Sequence, residues 1–381
     1  MSLEAVKSAG LYRRLRKQVD TGPTTATFDG RRATVFASND YLGLRYHPAV
    51  LGAATRALEE CGASAGASRL ISGNHKLYDE VETKVAALKR KEAALIFPTG
   101  YMANVGVLTS LVGPRDLLLM DKLNHASLYD GAKLSGAQLK RYRHADTGHL
   151  RAQINRETAY ERRFIVTDGV FSVDGDLAPL PELASIAADY DCTLIVDDAH
   201  GTGVFGPGGR GSGAHTGTHP AIEIGTFSKA LGGLGGFVAG DRETIELLVN
   251  KARSFIFTTG LPPATLAGIS AALDILDTEP WRRDRVLKLA AYVRSRLGET
   301  GFTVHDGDSP IIPIIIGDER EAVNFAEACL DAGFFVPAVR HPTVPKGRAR
   351  LRLTVSAAHS DEEIETLLAT LTKVAAERRL T

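Results

Sequence analysis

The sequence predicts an α/β fold built on a mostly parallel sheet, followed by a smaller α+β domain. Three observations carry that prediction. In the middle of the chain, short apolar runs end in polar loops and give way to helical patterns, the alternation of a parallel sheet whose crossovers are helices. Past Pro262 the texture changes to a long helical segment ending near Gly298, then to short strand-like runs and a final helix. The 381 residues are 44% hydrophobic and 24% charged, ordinary proportions for a chain that buries a large core. The expected divisions are an N-terminal helix and arm at 1–45, a large α/β domain at 46–275 and a small α+β domain at 276–381.

Taken in order, 3–19 reads as a basic amphipathic helix ended by Thr21-Gly22-Pro23. A short strand then leads into the polar, single-aromatic loop SNDYLG at 38–43, suited to face a ligand. Small residues crowd 61–73, permitting close backbone approach to a ligand or another subunit, before a helix begins near His75. The apolar runs 94–97, 117–120, 164–166 and 193–196 lead to Gly100-Tyr101, Asp121 and His125, Asp168 and Ser172, and Asp197 to His200. A further strand ends near Gly225, just before Lys229, and another spans 236–239. Ligands bind beyond the carboxyl ends of such strands, so five strand ends converge on one expected site. In the small domain, strands are expected at 302–304, 311–316, 334–336 and 351–354. Ser360 and Glu363 form a capping box for the last helix, whose Ile364, Leu367, Leu368, Leu371 and Val374 repeat at core-packing spacing.

Several function classes are set aside. Lys+Arg and Asp+Glu are equal at 45 each, which offers nothing to a polyanion such as nucleic acid. Cys61, Cys192 and Cys329 are scattered without metal or redox spacing, and no apolar run reaches membrane-spanning length, so a soluble cytoplasmic protein is expected. GTGVFG at 201–206 and GPGGRG at 206–211 fit GxGxxG, but the glycines that follow cannot sustain the helix a dinucleotide fingerprint must open; a nicotinamide enzyme is a low-ranked alternative. Asp197 and Asp198 are adjacent in a strand and point to opposite faces, which makes them poor joint ligands; no metal is expected.

A lone lysine in a glycine-rich loop is most often solvated, so the case for Lys229 rests on its companions. An amine in a small, partly desolvated turn loses proton affinity and forms a Schiff base with an aldehyde. Pyridoxal phosphate (PLP) needs that amine, a carboxylate for the pyridine nitrogen, a flat group against the ring and an anion site for the phosphate. Lys229 supplies the first and Asp197 the second. His125 can stack on the ring, His200 can hydrogen-bond the phenolic oxygen, and the Gly100 and Tyr101 amides with Thr226 and Ser228 can hold the phosphate.

These segments resemble the α-oxoamine synthase family of fold-type-I PLP enzymes, and the resemblance is nearly full-length. It is carried by SNDYLG at 38–43, DKLNHAS at 121–127, GVFSVDGD at 169–176, DDAHGTG at 197–203, TFSK at 226–229 and RLRLTVSAAH at 350–359. The resemblance implies a central, mostly parallel seven-stranded sheet and a homodimer with sites at the interface. It also implies condensation of an amino acid with an acyl-CoA, with loss of CO2. DAHGTG at 198–203 and PTVPKG at 342–347 look most like the family member that joins L-alanine to pimeloyl-CoA or a pimeloyl carrier protein; a glycine-using acyltransferase is the alternative. By the same resemblance Lys229 is the general base, Ser172 and His200 contact the cofactor, and Arg352 pairs with the amino-acid carboxylate. Asn39, His125, Thr343 and Arg13 border the substrate, and Thr258 of one subunit reaches the phosphate of the other. Asp168 stands where relatives often carry glutamate, and Ala65 and Ala67 interrupt a run usually richer in glycine.

Overall fold

A computed structural model describes residues 2–8, 12, 15–157 and 160–378. Two compact units divide the chain: Asn39–Ser172 with Asp176–Arg285, and Met1–Ser38 with Val173–Gly175 and Val286–Thr381.

The larger unit is built on a seven-stranded sheet: β1 Ala93–Phe97, β2 Leu117–Asp121, β3 Gln138–Tyr142, β4 Arg163–Asp168, β5 Cys192–Asp197, β6 Ile222–Thr226 and β7 Gly236–Gly240. Their spatial order is β1-β7-β6-β5-β4-β2-β3. β2 to β6 run parallel to one another, while β7 is antiparallel to both β6 and β1. Apolar runs make these strands because both faces are covered. Leu118, Met120, Phe164, Val166 and Ile195 belong to one buried cluster, whereas Leu117, Leu119, Ile165, Leu194 and Val196 belong to another. Successive side chains thus feed two cores, and no polar alternation survives in the sequence. β3 breaks this rule, since only Tyr142 of its five residues is buried. It is an edge strand whose polar texture hid it from pattern reading.

Three helices matter for the site: α1 Leu77–Lys89, α2 Gly100–Leu111 and α3 Ala126–Ser135. The glycine-rich stretch after β5 forms a short 3₁₀ turn at Pro207–Gly209 and a five-residue helix at Ser212–Thr216, with no dinucleotide-type helix.

The smaller unit holds two sheets. Strands Gln18–Val19, Thr25–Phe28 and Arg31–Val35 pair antiparallel in sequence, and Phe334–Phe335 joins the last in parallel. Ile311–Gly317, Ala349–Thr354 and Ala338–Val339 form the second. The capping box forms as read: Ser360 N donates to Glu363 Oε2 at 2.8 Å and Glu363 N to Ser360 Oγ at 3.1 Å.

Three expectations change. Among the described residues of 3–19, Leu3–Ser8 are helical, whereas Gln18 and Val19 pair as a strand with Phe28 and Thr27. The long segment after Pro262 is two helices, Pro263–Thr278 and Trp281–Glu299, parted at Pro280, whose ring cannot continue the first. The run 302–304 contributes one bridge, Val304 to Ile314, because Asp306 to Pro310 carries it into a loop. No helix among the described residues is long and apolar enough to cross a membrane.

Candidate active site

Side chains from five strand ends line one cavity of about 210 Å³. At the end of β1, Thr99 caps α2: its Oγ1 accepts from Met102 N at 3.1 Å. The first-turn amides of Gly100 and Tyr101, outside that bond, make up the positive end of the helix. Tyr101 is held by its hydroxyl, which donates to Asp130 Oδ2 at 2.7 Å. The start of β7 presses on this helix end so closely that a Cβ on Gly236 would lie 2.6 Å from Gly100 N. From β6, Thr226 Oγ1 donates to Gly235 O at 2.6 Å and accepts from Ser228 N at 3.2 Å, while Ser228 Oγ lies 2.7 Å away. The hydroxyl pair and the helix start line the same cavity as the half-buried Lys229.

Asp197, at the end of β5, has both carboxylate oxygens engaged. Ala199 N donates to Oδ1 at 3.0 Å and Asn104 Nδ2 to Oδ2 at 2.6 Å. The same amide nitrogen donates to Ser127 Oγ at 2.8 Å, and Ser127 Oγ lies 2.7 Å from His125 Nδ1. Ser127 N also donates to Nδ1, at 3.3 Å. With two donors on Nδ1, the neutral imidazole is assigned its proton on Nε2. Asn104 and Ser127 therefore orient both the carboxylate and the ring. Neither was singled out from the sequence. The available signal was one asparagine inside the apolar run Met102 to Leu111, where a buried amide demands partners.

Asp168 closes the floor. Its Oδ2 accepts from His125 N at 2.8 Å. Burial, then the neighbouring charge of Asp197, hold its carboxyl well above the usual range, against the pull of the His125 amide and the Lys229 charge. Asp198 points elsewhere, to Lys89 Nζ at 2.7 Å, Thr202 Oγ1 at 2.9 Å and Ser212 Oγ at 2.6 Å. Among the described residues no His, Cys, Asp and Glu cluster suits a metal ion.

Of the residues named from sequence, Gly100, Tyr101, His125, Ser172, Asp197, His200, Thr226, Ser228 and Lys229 come together here. Asn39 stands one bond away: Tyr41 Oη lies 3.2 Å from Asn39 Oδ1 and 2.7 Å from His200 Nδ1. Thr258 is not in the lining. Thr343 and Arg352 belong to the smaller unit, Thr343 exposed in a groove with Tyr12 and Arg340, and Arg352 on strand Ala349–Thr354. Arg13 lies outside the described residues.

The donor set fits PLP. Asp197 would offer a fixed acceptor to a pyridinium, the α2 start beside Thr226 and Ser228 would take the phosphate, and Lys229 would supply the amine. The buried Asn104 Oδ1 lacks a protein partner, a polar atom on the cavity wall. At 210 Å³ the cavity is smaller than the ~300–1,000 Å³ of drug-sized ligand sites and suits a single small ring with its phosphate.

Comparison with known proteins agrees. The family model described as aminotransferase class I and II matches residues 31–371. The 8-amino-7-oxononanoate synthase of Nitrosococcus oceani is 45% identical over 379 residues, covering 98% of this chain and 100% of that protein. 8-Amino-7-oxononanoate synthase 2 of Bacillus subtilis is 43% identical, covering 98% and 96%. Among solved structures, a serine palmitoyltransferase variant from S. paucimobilis with bound PLP–myriocin aldimine superposes with a TM-score of 0.94 at 30% identity, covering 99% of this chain and 96% of that one. An 8-amino-7-oxononanoate synthase from Francisella tularensis gives 0.79 at 27% identity, covering 91% and 99%.

Proposed function

The chain belongs to the class I and II aminotransferase family, among its α-oxoamine synthases, and on that premise we propose that it condenses L-alanine with a pimeloyl thioester. The thioester is pimeloyl-CoA or pimeloyl carrier protein, and the products are 8-amino-7-oxononanoate, CO2 and the free thiol, a step of biotin biosynthesis. The observation that carries the reading is the single cavity in which Lys229, Asp197, His125 and His200 meet a helix N-terminus.

When bound, PLP supplies an aldehyde that condenses with amines and a protonated pyridine that accepts the electron pair left by bond cleavage at Cα. Lys229 would hold that aldehyde through its Nζ and would serve as the general base that takes the Cα proton. Asp197, its two oxygens already oriented by Ala199 N and Asn104, keeps a proton on the pyridine nitrogen. The Gly100 and Tyr101 amides would hold the phosphate beside Thr226 and Ser228, joined by Thr258 from a second copy of the chain in a homodimer. His125 would cover the ring face, and His200, hydrogen-bonded to Tyr41, would contact the phenolic oxygen together with Ser172. Arg352 is assigned to the amino-acid carboxylate by bidentate pairing, and Asn39, Thr343 and Arg13 to the acyl substrate. In the net reaction the acyl C–S bond breaks, a bond forms from Cα to the acyl carbon, and the α-carboxylate leaves as CO2.

The test is a visible spectrum of the purified protein with added PLP, followed by L-alanine, glycine or L-serine and then pimeloyl-CoA with thiol detection. A PLP absorption band absent from Lys229→Ala, and thiol release that needs both alanine and the acyl donor, are expected. No band in the wild type removes the cofactor reading. Faster turnover with glycine or serine keeps the family and removes the substrate assignment.

A further inference from the structure

His144, just past the end of β3, uses both ring nitrogens on carboxylates. Its Nδ1 lies 3.1 and 3.2 Å from the two oxygens of Asp121, and its Nε2 lies 2.7 Å from Asp176 Oδ2. A neutral imidazole has one N–H and can serve one carboxylate; the other would face a lone pair. Two carboxylates on one ring therefore call for the cation, and the ring is seated by an edge-on contact with Phe171, 4.4 Å between centroids.

The two carboxylates stand at the roots of two active-site segments. Asp121 ends β2 and organises the turn to His125: its Oδ1 accepts from Leu123 N at 2.8 Å, its carbonyl from Asn124 N at 3.1 Å, and Asn124 Nδ2 donates to Val166 O at 2.8 Å. Asp176 closes the hairpin that contains Ser172, where Val170 bridges Leu177 and Phe171 N donates to Asp176 O at 2.9 Å. We propose that His144 is a positioning residue, an imidazolium that ties the His125 turn to the Ser172 hairpin and sets the spacing of these two groups on the cofactor pocket. The cofactor half of this statement rests on the function proposed above.

The charges around the ring fix its pH response. Burial alone would lower His144, but Asp121 and Asp176 outweigh it and push it up to about 9. Its other titratable neighbours, packed behind Asp121, are Tyr129 on α3, pushed up to about 12, Tyr142 on β3, raised further by burial, and Asp168 on β4. A folded value above the unfolded one means that the tie is complete below the ordinary histidine range and is lost as pH rises through about 9.

The experiment follows hydrogen exchange of 121–125 and 169–178 in the full-length protein without PLP, corrected for intrinsic base catalysis, and PLP affinity by absorbance, both from neutral to alkaline pH. In the wild type, protection of the hairpin is expected to fall with a midpoint near 9. His144→Gln is expected to show the low protection already at neutral pH and PLP binding weakened roughly tenfold, with Asp176→Asn adding little on that background. Flat wild-type protection across this range, or native protection in a folded His144→Gln protein, overturns the proposal. If His144→Gln does not fold, the wild-type titration decides alone. If the hairpin loosens near 9 while the wild type takes up no PLP, the tie stands and the cofactor reading falls.

Discussion

Asn104 shows how one amide can orient two side chains of the cavity, Asp197 directly and His125 through Ser127. It is 2% exposed, and its Nδ2 serves Asp197 and Ser127 at once. Replacing it by leucine keeps the branching and heavy-atom count but leaves a buried carboxylate oxygen and a buried hydroxyl short of a donor. Asn104→Leu is expected to cost about 1–3 kcal/mol in stability. It is also expected to weaken PLP binding, because Asp197 is then held on one side only. Urea denaturation and absorbance titration check the two effects. Retention of both wild-type values would show that the Asn104 amide does not hold the carboxylate. The residues that bear charge or nucleophilicity (Lys229, Asp197, His125, His200) were legible from sequence because each follows an apolar strand. Asn104 and Ser127 were not, since the functional content of a buried amide lies in partners 93 and 23 residues away.

Among elements, the meeting of β7 with the start of α2 shapes the helix end proposed to hold the phosphate. Glycine at 236 is required by approach, not by conformation: an added Cβ would lie 2.6 Å from Gly100 N and Cα and 2.7 Å from Thr99 C, all backbone. Gly236→Ala must push the helix start away from Thr226 and Ser228. A loss of about 1–3 kcal/mol is expected, as for other overpacked sites. Phosphate or PLP affinity should fall further than stability alone explains. Isothermal titration with inorganic phosphate and with PLP, beside a thermal melt, separates the two; unchanged affinity for both would exclude the cradle. Element identity was readable wherever burial imposed a pattern, as in β1, β2 and β4 to β7. It failed at β3 and at the Gln18–Val19 strand, whose exposed residues carry no apolar signature and owe their pairing to neighbouring backbones.

At the scale of the whole molecule, a buried lysine fastens the loop beyond β5 and the middle of β6 to helix α1. Lys89 Nζ reaches Asp198 Oδ2 at 2.7 Å, Arg210 O at 2.6 Å and Glu223 Oε2 at 3.1 Å, and its side chain is wholly buried. Burial opposes its charge, but the two carboxylates outweigh that cost and hold the lysine above its ordinary value. Removing the cation strands two acidic groups in the interior, so Lys89→Met is expected to cost about 3–5 kcal/mol in urea denaturation. A shift smaller than ~1 kcal/mol would mean that water reaches these carboxylates. The sequence by itself determined the α/β class, the strand ends that carry chemistry and the terminal capping box, because these depend on local periodicity and on contacts a few residues apart. Only the tertiary structure decided the strand order with its antiparallel β7, and the partners of Asn104, Lys89 and His144. Periodicity records that a side chain is buried, whereas the identity of its hydrogen-bond partner is set by which distant strands the fold brings side by side.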